Sequence, residues 1–265
     1  SRYGGKVIET KKQWGKNFRI EEMKETIDSH KDLKVVAIVH AETSTGSLQP
    51  IKELGEYLKS SDIILIVDCV TSFTGINLEV DNWSIDICYS GTQKCLNVPP
   101  GLSPITFSEK ALNKIKKRKE KVTSWYLDIN LLRNYHEESR IYHHTAPVNM
   151  LFGFNEGLKI CLEEGLQARF GRHQKVSEYF DDIIKSTDFS FFVDKEYESL
   201  PMLKSLVLPE SIRDELRFEI LKNDRIEIGG GLGHTKGLIW RVGFMGCNAE
   251  TQNVDIFFKA LNNYV

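Results

Sequence analysis

The feature that most constrains this chain is a series of short runs made almost wholly of β-branched and other apolar residues. Val35-Val36-Ala37-Ile38-Val39 is the first, Ile63-Ile64-Leu65-Ile66-Val67-Asp68 the second, and Ile85-Asp86-Ile87-Cys88-Tyr89-Ser90 the third. A continuous apolar run of this length reads as a strand buried on both faces, the mark of a parallel sheet covered by helices. Between the first two lies a helical stretch over 51–59, opened by Gln49-Pro50, with proline near its first turn. A fourth strand is expected over 103–107. Ser108 then reads as the N-cap of a helix over 110–119. A short amphipathic helix over 20–27 precedes them all. Strand, helix and strand in this order specify an α/β fold with an at least partly parallel sheet.

After Trp125 the texture changes. A short helix is expected over 128–135, then the polar loop Tyr142-His143-His144-Thr145-Ala146-Pro147, then two long helices over 148–164 and 166–185 around Glu164-Gly165. The remainder reads as an α+β unit. It has strands over 202–208, 226–228 and 238–244, helices over 210–223 and 249–262, and a glycine run at 229–231. The expected division is therefore 1–165, an α/β portion, and 166–265, a smaller α+β domain.

Composition removes several classes of function. With 41% hydrophobic and 27% charged residues, the 265-residue chain has apolar material for a real core. A net charge of -2 gives no general pull toward nucleic acid or anionic membrane. The basic run over 114–119 reads as a solvated helix face. No apolar run approaches the ~20 residues of a membrane span, and the terminal segments are expected to be neither a secretory signal nor a retrieval signal. The five cysteines form no CxxC or other metal spacing, so no metal site is expected. Scattered and odd in number, they suggest reduced thiols and a cytoplasmic location.

Three charged residues stand out by position. Asp68 ends a buried strand, at the edge where open α/β sheets bind ligands. A carboxylate there either meets a cation or caps the next turn. Lys94 follows the third strand among small and polar residues. Such a lysine is ordinarily on the surface, but partial desolvation would make it a nucleophilic amine. Arg241 interrupts the apolar strand Leu238-Ile239-Trp240-Arg241-Val242-Gly243-Phe244. Its planar fork suits a carboxylate, unless it lies on a wet face.

Five segments, in order, carry a resemblance. They are His40-Ala41-Glu42-Thr43-Ser44-Thr45-Gly46; Val67-Asp68; Tyr89-Ser90-Gly91-Thr92-Gln93-Lys94 on through Pro99-Pro100-Gly101; Tyr142-His143-His144-Thr145; and Ile228-Gly229-Gly230-Gly231-Leu232-Gly233 with Arg241-Val242-Gly243. Together they resemble the class V aminotransferases of the fold type I pyridoxal-phosphate family, and within it the alanine–glyoxylate and serine–pyruvate (or serine–glyoxylate) group. The resemblance implies a mostly parallel sheet with flanking helices plus a smaller α+β domain, and pyridoxal 5′-phosphate as cofactor. It implies that Lys94 is the covalent anchor and proton carrier. Asp68 would pair with the pyridinium nitrogen. Thr43, where many relatives have Ser, would reach the phenolic oxygen, and Gln93 would help hold the phosphate. Tyr142 and Thr145 would contact the phosphate of a partner subunit's cofactor, which makes the expected assembly a homodimer with shared sites. Arg241 would bind the substrate's α-carboxylate. The glycines at 229–233 lack a GxGxxG frame and are expected to form a tight connection rather than a phosphate loop.

The resemblance also implies about a hundred further residues ahead of the segment that matches Ser1. That part would supply a phosphate-cradling helix N-terminus and a ring stacked on the pyridine. The chain is thus expected to be N-terminally truncated and a weak cofactor binder. The leading expectation is a transaminase moving an amino group from alanine or serine to glyoxylate or pyruvate. Ureidoglycine, 3-hydroxykynurenine and phosphonate substrates remain open. So does a non-catalytic remnant acting as a dimerisation module.

Overall fold

The computed structural model describes residues 4–136 and 140–264. Its first sheet is built from β1 (Val35–Val39), β4 (Ile64–Asp68), β5 (Ile87–Tyr89) and β6 (Ile105–Phe107), in the order β1-β4-β5-β6. The first three are parallel and β6 runs antiparallel to β5. Register brings Val39 beside Asp68 and Asp68 beside Tyr89, so these strands end level with one another. A small hairpin of β2 (Ala41–Glu42) and β3 (Ser47–Leu48) follows β1 directly; the four residues 43–46 form its turn.

Helix α1 (Ile20–Asp28) buries Met23 and Ile27 and carries Glu21 and Glu22 in its first turn, where the helix dipole favours acids. Helix α2 (Ile51–Leu58) opens after Pro50 and buries Ile51, Leu54, Gly55 and Leu58. A Cβ at Gly55 would lie 1.7 Å from the Trp83 carbonyl oxygen, so only glycine allows this approach. Helix α3 (Glu109–Lys116) has the expected cap: Ser108 Oγ accepts from Ala111 N–H at 3.1 Å. Helices α4 (Ile129–His136), α5 (Val148–Glu164) and α6 (Leu166–Ile184) follow.

The second sheet is antiparallel, in the order β7-β8-β10-β9. Its strands are β7 (Ser190–Phe191), β8 (Leu203–Val207), β9 (Gly229–Gly230) and β10 (Ile239–Gly243). It packs with α6, α7 (Leu216–Asp224) and α8 (Thr251–Leu261) around Trp240, Phe180, Leu206 and Val254, all fully buried. The first sheet has its own core, centred on Leu54, Leu65, Val67 and Cys69.

Several expectations need correction. Strand β1 is not buried on both faces: Val35 is 44% exposed and Ala37 is exposed too, because among the described residues β1 is an outer strand paired with β4 alone. The outer strand β6 likewise leaves Ile105 49% exposed. Residues 226–228 are not a strand. The glycines after them are: Gly230 pairs with Trp240 and Gly229 with Arg241. Side chains at these glycines would press on Arg241 and Arg217 at 3.2–3.5 Å, and one at Gly231 would lie 2.0 Å from the Thr235 carbonyl oxygen. The glycines thus form a paired strand at close backbone approach, not only the tight connection expected. Helix α7 starts at Leu216 because residues 209–216 are used in consecutive turns, Ile212 N–H to Pro209 O at 3.0 Å and Leu216 N–H to Arg213 O at 3.1 Å. Among the described residues, no helix is long and apolar enough to cross a membrane.

Candidate active site

The C-terminal edge of the parallel strands gathers the first group of residues. Asp68 is the last residue of β4. Its Oδ2 accepts the Tyr89 hydroxyl at 2.8 Å and its Oδ1 the Val70 N–H at 2.9 Å. Both donors are neutral. They fix the carboxyl group in place and leave lone pairs for a further donor. Burial first, then the bond to Asp68, pushes the Tyr89 phenol up to about 12, so Tyr89 stays a donor. The strand-following residue His40 is 3% exposed, and burial pushes its imidazole down to about 4.

Lys94 lies in the turn after β5 and is half-buried. Its carbonyl accepts Asn97 N–H at 2.9 Å. Asn97 itself has a φ of 65°, a left-handed conformation that Asn tolerates. Thr92, fully buried, closes the same loop by donating to Pro99 O at 2.6 Å. Gln93 is exposed on the loop, and a Cβ at Gly91 would lie 2.6 Å from its Oε1. Cys95, beside Lys94, is an inert thiol, pushed up to about 12 by burial.

Arg241 reaches this region from the other sheet. Its Nε donates to Gly230 O at 2.8 Å and its Nη1 to Thr43 O at 3.1 Å. Thr43 sits in the β2–β3 turn, half-buried. Burial pulls the Arg241 guanidinium below its ordinary value, while Glu42 raises it. Among the described residues Arg241 has no ion pair; carbonyls are its acceptors. A half-buried cation whose hydrogen bonds go to carbonyls, with Glu42 acting only through its field, retains donors for an anion. It also lies on the wall of a cleft of about 670 Å³ with Gly229 and Phe257.

Tyr142 and Thr145 lie on the loop before α5. Tyr142 is 68% exposed and its hydroxyl is 2.9 Å from Thr145 Oγ1. Next to them His143 is buried, stacked on Trp125 with ring centroids 4.0 Å apart. The two adjacent histidines bond to each other, Nδ1 to Nδ1 at 2.8 Å.

The comparisons decide the family. The model of the aminotransferase class-V family matches residues 1–256. The chain belongs to the class V aminotransferase family. It is 37% identical over 265 residues to the alanine–glyoxylate aminotransferase of Callithrix jacchus, covering 98% of this chain and 64% of that protein. It is 36% identical to the (S)-ureidoglycine–glyoxylate transaminase of Bacillus subtilis, covering 96% of this chain and 65% of that one. The crystal structure of alanine–glyoxylate aminotransferase from Nostoc sp. superposes with a TM-score of 0.94 at 40% identity, over 99% of this chain and 70% of that one. The chain thus spans about two thirds of the length of these relatives. The fold is that of the fold type I aminotransferases, whose class V members use pyridoxal 5′-phosphate.

The donor set here fits that cofactor. Asp68 keeps an open acceptor for a pyridinium N–H, and a primary amine stands after the adjacent strand. Tyr89 escaped the sequence reading although it ends β5. Its only signal was register: two parallel strands ending level place Tyr89 beside Asp68.

Proposed function

We propose that this chain carries the anchoring lysine and substrate arginine of a pyridoxal-phosphate transaminase that moves an amino group from a small amino acid, alanine or serine, to glyoxylate or pyruvate. The observation that carries the reading is the bond from Arg241 to the Thr43 carbonyl, 198 residues apart. It draws the arginine of the second sheet to the turn beside the Asp68 edge of the first. Relatives named for glyoxylate favour that acceptor, and the ureidoglycine relative keeps ureidoglycine open as a donor.

When bound, the cofactor supplies an electron sink for the charge left at the substrate's Cα. The chain's residues do the rest. Asp68 would accept the pyridinium N–H. Lys94 would hold the cofactor through Nζ, and its amine would carry the proton at the substrate's Cα. Thr43 would donate its hydroxyl to the phenolic oxygen, and Gln93 would help bind the phosphate. Arg241 forks the substrate carboxylate and sets which bond at Cα faces Lys94. The proposed assembly is a homodimer in which Tyr142 and Thr145 serve the partner's phosphate. The exposure of Tyr142 supports it, as does the apolar surface of Trp125, Tyr126 and Phe152, 58%, 56% and 71% exposed. A domain boundary at Gly165 and a cytoplasmic location, supported by free cysteines, complete the reading.

The test incubates the protein with pyridoxal 5′-phosphate, reduces with borohydride and maps the label, then assays alanine, serine and ureidoglycine with glyoxylate and pyruvate. Label on Lys94, and turnover that falls about 10²–10⁴-fold or more in Lys94→Ala, are expected. Label elsewhere, or full turnover in Lys94→Ala, overturns the reading.

A further inference from the structure

Arg169 is a cation buried in the middle of the molecule, 3% exposed, on a helix far in sequence from Lys94. Its three kinds of nitrogen go to three places. Nη1 pairs with Glu164 at 2.7 Å. Nε donates to the Thr74 carbonyl at 3.1 Å. Nη2 donates to the carbonyl of Cys95, the residue after Lys94.

The two carbonyls come from the loops that follow β4 and β5, the strands that lead to Asp68 and to Lys94. Thr74 holds a φ of 63°, a left-handed conformation uncommon for a β-branched residue. The Arg169 bond falls on the carbonyl of this left-handed residue. A single planar group thus ties together the two strand-end loops that the reading above assigns to the cofactor.

The guanidinium is itself held from behind. Glu164 takes Arg172 Nε at 2.7 Å on its other oxygen. Arg172 donates to the carbonyls of Gly246 and Ala249, both at 2.9 Å. His173 Nδ1 meets the Arg169 carbonyl at 2.8 Å, and its Nε2 accepts Gly246 N–H at 3.2 Å. That pair of partners requires the neutral ring with its proton on Nδ1, the state burial favours. The 246–248 turn then grips the lysine loop a second time, Cys247 N–H to Asn97 Oδ1 at 3.1 Å.

Packing alone does not call for an arginine. Burying a charge is costly, and an apolar side chain would fill the same volume. What a guanidinium adds is several donors at fixed angles. We propose that Arg169 is a positioning residue: it fixes the Lys94 loop against the β4 loop, and through Glu164 and Arg172 it couples that placement to the 246–249 segment. The proposal rests on Lys94 being the anchoring amine.

The test compares wild type with Arg169→Met, Arg169→Lys and Glu164→Gln in two arms. The first, without cofactor, measures acylation of Lys94 by a water-soluble succinimidyl ester against pH, with exposed Lys185 in the same sample as reference. The second measures formation of the Lys94–pyridoxal-phosphate adduct, trapped with borohydride and counted by peptide mass spectrometry. Arg169→Met is expected to change the Lys94/Lys185 acylation ratio threefold or more and to slow adduct formation at least tenfold. Arg169→Lys, which cannot reach both carbonyls, should restore the thermal midpoint more than the adduct rate. Glu164→Gln, the variant to rely on should Arg169→Met not fold, should shift both arms in the same direction by less. An unchanged acylation ratio and adduct rate in folded variants overturn the role of Arg169. A wild type that forms no Lys94 adduct overturns the transaminase reading instead, and the acylation arm still decides Arg169.

Discussion

Two aspartates on one sheet are treated in opposite ways. Asp86, at the N-terminal end of the strand run, is 4% exposed and fully answered. Lys110 Nζ is 2.8 Å from one oxygen, which also accepts Leu65 N–H at 2.9 Å, and Ser108 Oγ donates to the other at 2.7 Å. Asp68, at the C-terminal end, has two neutral donors. The same end holds His40, whose buried Nδ1 has no hydrogen-bond partner among the described residues, and Lys94 on the adjoining loop. One end closes its electrostatics within the chain; the other keeps acceptors and donors in hand. That difference separates a group that holds the fold from groups that can hold a ligand.

The largest expected effect tests the closed end. Asp86→Ala removes the ion-pair partner of the part-buried Lys110, leaving it the Ile63 carbonyl at 2.9 Å, and strips Leu65 N–H of its acceptor. Loss of one side of a buried pair costs about 3–5 kcal/mol, and the carbonyl left to Lys110 places this case at the lower end. Equilibrium unfolding in urea should show that loss. A loss under about 1 kcal/mol would mean that Asp86 is no better anchored than Asp68, and the contrast between the ends would collapse.

The next effect is a pH dependence at the open end. The His40 ring titrates near 4 when folded and near 6.5 when unfolded. The unfolded chain therefore takes up this proton first as pH falls. Stability from a neutral His40 is fully present above the unfolded value and is lost between about 6.5 and 4, by up to about 3 kcal/mol. His40→Gln should flatten that window when urea midpoints are compared at several pH values. An equal slope in the variant would assign the loss to other groups.

How much of this was readable beforehand follows from the range of each interaction. The bounds of β1 and the Ser108 cap depend on neighbours a few residues away, and both were legible. That β1 is an outer strand was not, because a strand's partners are set by the whole topology. Asp68, Lys94 and Arg241 were found because a charge beside apolar strands is conspicuous in any register. Tyr89 and Arg169 were hidden for the opposite reason. A tyrosine in a strand and an arginine in a helix are ordinary, and their partners lie 21 and 74 residues away.

A smaller effect refines the closed end. Ser108 serves twice, capping α3 through Ala111 N–H and donating to Asp86. Ser108→Ala should cost about 1–2 kcal/mol, the upper range for a helix cap. A cost near zero would show that Lys110 and the Leu65 N–H satisfy Asp86 without Ser108.

The smallest expected change in stability is the most informative about the open end. In Asp68→Asn, the side-chain oxygen can still accept from Val70 N–H, and the new amide can donate to the Tyr89 hydroxyl, which rotates to accept. Neither neighbour is stranded, so the stability change should stay within about 1 kcal/mol. Function should not be spared in the same way. An amide that turns its NH₂ toward a pyridinium N–H offers a donor where an acceptor is needed. Cofactor retention by Lys94 should therefore weaken measurably, read as the adduct fraction trapped at a fixed pyridoxal-phosphate concentration. If Asp68→Asn unfolds the protein as Asp86→Ala does, Asp68 belongs to the scaffold. If it leaves both stability and adduct unchanged, the open acceptor at the end of β4 faces no cofactor.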